Sequence, residues 1–316
     1  MDPTELANFS GGSPERFVPD LMEGEFIAAQ HVGRYLWASS AARDRRVLDA
    51  GCGVAYGSTM LAEAGARSVV GVDLAEDVLE SVRARVPPNV RLERADLRDL
   101  PFEDGSFDLV VCFEVIEHIT DQQEVVREFA RVLSPEGVLL TSTPNRAVSA
   151  GDNPHHLREL LPEELEGLLG EHFANVELFR QDAWYSSAIF NDTDFASKGR
   201  SESDSWPVRK IAARDLGTEE FTIAAGSHAA LPELGGSVVL TKDKTRDLVE
   251  RLTHHAELAR ERREKLRDTG RALKEARSER DQLAASFEHR LGRAVRHPVA
   301  TLRSARRHII RRRASR

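Results

Sequence analysis

The chain is 316 residues long, 41% hydrophobic and 30% charged. At roughly 150 residues per domain, this allows about two domains, or one domain with a long appendage. No apolar run approaches the ~18–20 residues that span a bilayer, so no transmembrane helix is expected. The opening MDPTELANFSGG has neither the basic nor the apolar segment of a signal peptide. Only Cys52 and Cys112 occur, both in apolar runs. This excludes a disulfide scaffold and a cysteine-based zinc site, and suits a reducing cytoplasm.

The net charge of −8 conceals an asymmetry. Arg246 to Arg316 holds 21 Lys+Arg against 10 Asp+Glu, which leaves 23 basic and 42 acidic residues for Met1 to Thr245. From His289 onward there are ten arginines and no acid. An acidic body is joined to a basic tail.

Strand and helix signals alternate through the body. Short apolar runs mark strands at Arg46 to Ala50, Val69 to Asp73, Val90 to Glu93, Asp108 to Phe113 and Gly137 to Ser142. Between the last two, Val125, Val126, Phe129, Val132 and Leu133 recur at helical spacing. Thr120 with Gln123 offers a capping box for that helix, and Ser134-Pro135 a stop. Strands separated by helices predict an α/β fold, a parallel sheet with helices on both faces. Further on, Pro162 to Phe173 reads as a helix and Val176 to Phe179 as a strand. Phe221 to Ala225 and Ser237 to Thr241 read as two strands of a hairpin. The segment from Asp182 to Gly217 is polar and irregular, a position suited to an acceptor lid, with Trp184 and Tyr185 at its start. From Arg246 the chain reads as one long charged helix. Leu252, Ala259, Leu266, Leu273, Arg280 and Phe287 fall on one seam position, and Leu248, His255, Arg262, Thr269, Ala276 and Leu283 on its partner, eight of the twelve apolar if alanine counts. This is either a weak coiled coil or a solvated helix held by i,i+4 charge pairs.

The chemistry concentrates where the first strand runs into Asp49-Ala-Gly-Cys-Gly-Val-Ala-Tyr-Gly57. A glycine-rich turn after the first strand of an α/β unit lets a ligand approach the backbone. A carboxylate just before that turn would repel a pyrophosphate; it suits a ligand carrying an ammonium and a sulfonium. The second strand ends in Asp73, where an acid can accept hydrogen bonds from both ribose hydroxyls. Asp96 follows the third strand, where its carboxylate can read an adenine amino group. Three acids at successive strand ends lie along one crevice at the carboxyl edge of the sheet.

These residues, with Gly71-Val-Asp-Leu74, Ala95-Asp-Leu97, Leu100 to Leu109 and Arg131 to Gly137, resemble the class I S-adenosylmethionine-dependent methyltransferases over roughly residues 30 to 245. The resemblance implies a Rossmann-like seven-stranded sheet whose last strand is antiparallel, with the Phe221–Thr241 hairpin closing it. It also implies an N-terminal helical cap in residues 1–45, carrying Tyr35 and Trp37, and a methyltransferase domain in 46–245. The cofactor would be S-adenosylmethionine, held by Asp49, Gly51, Cys52, Gly53, Asp73, Leu74, Asp96, Leu97 and Phe113. Ala55 departs from the pattern, because the family often has a third glycine there.

Methyl transfer from a sulfonium needs an oriented acceptor and a place for its proton. Glu114, Glu117 and His118 share one face if the turn after the fourth strand is helical. Asn153-Pro-His-His-Leu-Arg-Glu159 follows the fifth strand and can reach the same crevice. In one reading His118, with Glu117, is the catalytic base. In another, Glu114, Glu117, His118 and His156 bind a magnesium or manganese ion that activates a hydroxyl. That Glu-x-x-Glu-His pattern resembles the small-RNA 2′-O-methyltransferases and the ubiquinone-pathway O-methyltransferases. In a third, Glu117 and His118 merely cap and solvate the next helix. His155 is the bystander.

In the tail (289–316), Leu291, Val295, Val299, Leu302 and Ile309 fall near helical spacing among arginines, as in a segment that lies on an anionic membrane. Nucleic acid is the less favoured partner: the tail lacks stacking aromatics and the body is acidic. The layout of catalytic domain, charged helix (246–288) and basic tail resembles bacterial methyltransferases that modify sugars of surface polysaccharides. It implies O-methylation of a glycan or lipid-linked polysaccharide by a cytoplasmic enzyme peripheral to the inner membrane face, with self-association through the helix. An RNA 2′-O-methyltransferase and a non-catalytic cofactor-binding scaffold are the alternatives.

Overall fold

The computed structural model describes residues 26–149, 153–184 and 210–239, together with 263, 265, 267, 269–274, 276–280, 282 and 283. The chain divides into two compact units, Met1–Asp243 and Lys244–Arg316. Among the described residues, no helix is long and apolar enough to cross a membrane.

The first unit opens with α1 (Phe26–Ser39) and β1 (Arg46–Ala50). It continues through α2 (Tyr56–Glu63), β2 (Ser68–Asp73), α3 (Glu76–Val82), β3 (Val90–Arg94) and β4 (Phe107–Phe113). A single 3-10 turn, Ile116–His118, leads to α4 (Gln122–Val132) and β5 (Leu133–Pro144). The last elements are α5 (Pro162–Gly170), β6 (Asn175–Gln181) and β7 (Phe221–Ser227). The strands form one seven-stranded sheet in the order β3-β2-β1-β4-β5-β7-β6. Strands β1 to β5 pair in parallel, and β7 runs antiparallel to both β5 and β6. The order reverses between β1 and β4, the place where an open α/β sheet leaves a crevice beyond its carboxyl ends.

Each strand feeds two cores, because side chains alternate across a sheet. Leu48, Val70, Val110 and Leu139 pack against α4 and α5 on one face. Val47, Val69, Leu109, Val138 and Leu140 pack against α1 and α2 on the other. The same alternation puts Asp49 on the α1 side. In α4 the face read from spacing is buried: Val125, Val126, Phe129 and Val132 have no exposed surface. Each such burial contributes about 1.5–3 kcal/mol.

Two expectations need correction. The closing strands are β6 and β7, not a 221–241 hairpin. Phe221–Ser227 pairs over its whole length with β5 and β6, and Ser237 to Val239 carry no regular structure; Leu240 and Thr241 lie outside the described residues. The N-cap position of α4 is Asp121, so Thr120 and Gln123 form no capping box there. The helix does end just before Ser134-Pro135, where β5, begun at Leu133, carries the chain on.

In the second unit the described residues from 263 to 283 are helical and exposed, Leu273 and Leu283 among them. Residues 1–25 of the cap, Tyr185 to Arg209 of the expected lid, and the tail from 289 lie outside the described residues.

Candidate active site

The glycine turn is built around two acids. Gly51 N and Cys52 N both donate to Val72 O, at 2.8 and 2.9 Å, which folds the turn back over β2. Gly51 has φ 79°, and a methyl group there would come within 2.4 Å of Val115. Gly53, at φ 51°, donates its N–H to Asp73 Oδ2 at 3.0 Å, while Asp73 Oδ1 accepts from Ala75 N at 3.0 Å. Asp49 is fully buried and accepts from Ser58 Oγ at 2.6 Å and Tyr35 Oη at 2.8 Å. Burial pushes its carboxyl up to about 6, against the pull of those two bonds.

The other expected cofactor residues separate into two kinds. Leu74 stands exposed just beyond Asp73, an apolar surface at the crevice rim. Cys52, Leu97 and Phe113 are buried in the two cores, so Cys52 offers the crevice its backbone. The Asp96 carboxylate is engaged by Arg98, with Nη2 to Oδ2 at 2.6 Å, which holds it down at about 2.

Beyond β4 the chain departs from the helical face expected for Glu114, Glu117 and His118. Glu114 has φ 55°, outside any helix, and only Ile116–His118 forms a 3-10 turn. The Glu114 carboxylate turns to Ser142 Oγ at 2.6 Å and lies 3.6 Å from Arg34 Nη2. Glu117 instead points inward. It is 1% exposed, and among the described residues neither carboxylate oxygen has a hydrogen-bond partner. Burial first, then the Glu114 charge, raises its carboxyl well above the usual range. Capping and solvating the next helix is therefore not what Glu117 does.

The loop after β5 brings His156 to this carboxylate. Leu157 N and Arg158 N donate to Glu117 O at 2.8 and 3.1 Å, and Gln122 Nε2 ties Ile116 O to Arg158 O. Potential ligand atoms of Glu117, His118 and His156 lie within 4.8 Å of one another. Glu114 is outside this group. The His118 and His156 rings are 4.9 Å apart between centroids. A buried, unbonded carboxylate beside two imidazoles fits a divalent ion: the donor set is one oxygen and two nitrogens, and the ion would supply the partner the carboxylate lacks.

Several residues at the crevice escaped the sequence reading. Arg34 is buried beside Glu114, donates Nε–H to Gln181 Oε1 at 2.7 Å and stacks over Phe221. His31 Nδ1 lies 3.2 Å from Tyr56 Oη, and burial followed by the Arg34 charge lowers His31 to about 3. The signal was a lone arginine in the otherwise uncharged helix FIAAQHVGRYLWAS. Tyr35, in the cap helix, is buried in the core and also bonds Asp49. Trp184 is exposed, with Lys210 Nζ 4.5 Å over its ring.

With this geometry in hand, similarity to known proteins is informative. Residues 48–141 match the family model described as a methyltransferase domain. A protein of Mycolicibacterium smegmatis, named a probable S-adenosylmethionine-dependent methyltransferase, is 44% identical over 160 residues, covering 49% of this chain and 62% of its own. A Mycobacterium tuberculosis protein of the same description is 44% identical over 160 residues, covering 49% of this chain and 58% of that one. A ubiquinone biosynthesis O-methyltransferase of Idiomarina loihiensis is 34% identical over 161 residues, covering 48% and 64% of the two chains. This chain thus spans less than two thirds of each of these relatives. The two mycobacterial relatives are named as dependent on S-adenosylmethionine. The matched stretch begins inside β1 and ends inside β5, so the glycine turn, Asp73 and Glu117 lie within it, while His156 and the strands that close the sheet lie beyond its end.

Proposed function

We propose that this chain is an S-adenosylmethionine-dependent O-methyltransferase in which Glu117, His118 and His156 hold a magnesium or manganese ion beside the acceptor hydroxyl. The observation that carries the metal is the Glu117 carboxylate, buried next to two imidazoles without a hydrogen-bond partner among the described residues. Oxygen as the methylated atom is supported by relatives named O-methyltransferases.

S-adenosylmethionine supplies a methyl group on a sulfonium, and the metal a positive charge that makes a nearby hydroxyl more acidic. The rest falls to the chain. Asp49, Gly51 and Gly53 would place the amino acid part of the cofactor, and Asp73 its ribose. Leu74 would cover one face of the adenine. Glu117, His118 and His156 would hold the ion beside the acceptor oxygen, which would take the methyl group in line as the carbon–sulfur bond breaks, leaving a neutral thioether and passing its proton to solvent or to a neighbouring base. Orientation is the larger task, because the leaving group needs no charge stabilisation.

A hydroxyl with a second hydroxyl beside it suits an ion with open positions. We place the acceptor among vicinal diols, in the first instance a sugar of a glycan or lipid-linked polysaccharide. The basic tail would hold the enzyme on an anionic membrane, and the charged helix would pair with a second copy.

The test is a calorimetric titration of manganese into full-length protein saturated with S-adenosylhomocysteine, beside Glu117→Ala. One saturable site lost in the variant supports the metal. No saturable binding removes it and leaves a histidine base. Vesicle co-sedimentation lost on deleting 289–316, without RNA methylation, supports the membrane and glycan. RNA binding that weakens steeply with salt, with RNA methylation, supports a 2′-O-methyltransferase of RNA instead.

A further inference from the structure

The loop from Asn153 to Glu159 contributes more to the cluster than one ligand. His118 Nδ1 lies 3.0 Å from the backbone carbonyl of His155, and His156 Nδ1 lies 2.6 Å from Glu159 Oε1. A carbonyl and a carboxylate only accept, so both Nδ1 atoms carry the proton. The nitrogen that can coordinate an ion is then Nε2 in both rings.

Glu159 is itself locked in place. It is 7% exposed, its Oε1 also accepts from Ser149 Oγ at 2.9 Å, and its backbone carbonyl accepts from Arg146 Nη1 at 3.2 Å. It stands outside the Glu117–His118–His156 group and bonds His156 through Nδ1. Burying a carboxylate costs free energy that an apolar side chain would not, and the bond to His156 is its return on that cost. The loop's seat is equally fixed. His155 N donates to Asn153 Oδ1 at 3.0 Å and His156 N to Asn153 O at 3.2 Å, ahead of the two bonds that Leu157 and Arg158 make to Glu117 O.

We propose that Glu159 is a positioning residue: its carboxylate orients His156, fixes the ring in the ligating tautomer and raises the electron density on Nε2. A carboxylate–histidine–metal relay results, and the His155 carbonyl serves His118 in the same way. The inference rests on the metal reading above. Loss of such an outer partner costs about 10–100-fold in metal affinity.

The experiment is manganese binding to the full chain saturated with S-adenosylhomocysteine, followed by calorimetry and by the electron paramagnetic resonance of bound manganese. Wild type, Glu159→Gln, Glu159→Ala and Glu117→Ala are compared. An amide can still accept from Nδ1 but carries no charge, so Glu159→Gln is expected to weaken manganese about 10-fold and Glu159→Ala about 100-fold. Affinity for S-adenosylhomocysteine stays at the wild-type value in both. If both bind manganese as wild type does while Glu117→Ala loses it, the positioning role is overturned and the metal site stands. If wild type itself binds no manganese, the metal reading falls and this inference with it. If both Glu159 variants lose S-adenosylhomocysteine as well, Glu159 holds up the fold and the proposal is wrong.

Discussion

The phenol of Tyr35 donates to the carboxylate of Asp49 across 2.8 Å, inside the core between α1 and the sheet. This bond ties the helix that precedes the sheet to the strand that opens the glycine turn. It also sets a titration. Asp49 lies at about 6 in the folded chain, against about 3.9 for a free aspartate. Because the folded value is raised, the contribution of Asp49 to stability is full below pH ~4 and is lost as pH rises through about 6. Affinity for a ligand ammonium runs the other way and grows as the carboxylate ionises. Tyr35→Phe removes one bond to the ionised form, so both midpoints should move up. Calorimetry of S-adenosylhomocysteine binding between about pH 5 and 8 reads this directly, and an unmoved midpoint would detach Asp49 from the ligand.

Glu117 gives a prediction of opposite signs. A buried carboxylate without a partner destabilises the metal-free chain, by about 1–3 kcal/mol for an unsatisfied group. Glu117→Leu should therefore melt higher than wild type without metal, and turn over no acceptor. Manganese should raise the melting temperature of wild type and leave the variant where it was. A variant that melts lower than metal-free wild type would mean that Glu117 has a structural partner.

Ala55 occupies a left-handed conformation, φ 59° and ψ 20°, just before α2. That conformation costs a non-glycine residue about 1–2 kcal/mol. The added freedom of glycine in the unfolded chain returns about 0.4–1 kcal/mol of it. Ala55→Gly should stabilise the protein by roughly 0.5–1 kcal/mol in denaturant melts with cofactor affinity retained. Destabilisation would show that packing of the buried methyl outweighs the backbone term.

Gly57 carries the reverse expectation. A methyl group there would stand 2.0 Å from Cζ of Tyr35. Gly57→Ala should cost about 1–3 kcal/mol by overpacking. It should also weaken S-adenosylhomocysteine binding, because the displaced ring loses Asp49. In a Tyr35→Ala background, itself lower by about 3–5 kcal/mol for the lost core ring, adding Gly57→Ala should cost little more. A loss on adding Gly57→Ala that is the same with and without the ring would place the strain elsewhere.

Much of this was legible from residue order alone. β1, β2, β4 and β5 are short apolar runs, buried on both faces, and such runs announce themselves. Asp49 and Asp73 stand where strand ends put them. β7 was legible as a strand but not in its pairing. Phe221–Ser227 inserts between β5 and β6, partners distant in the chain, whereas a nearby apolar run at Ser237 suggested a hairpin. Glu114 was misplaced because spacing assumes regular backbone, and φ 55° breaks it. Arg34 and Glu159 were passed over for another reason. Charged residues are presumed solvated, and only packing reveals that these two are enclosed.

The position of β7 has a practical consequence. The matched stretch, residues 48–141, stops inside β5. Cutting the chain there would remove α1, β6 and β7 and leave β5 on the outside of the sheet. Leu139 and Leu140, with no exposed surface in the intact protein, would then lie along a bare row of N–H and C=O groups. Such an edge recruits strands from other molecules. A fragment trimmed to the family's boundaries should form insoluble aggregates, so the shortest recombinant piece worth making runs from α1 through β7.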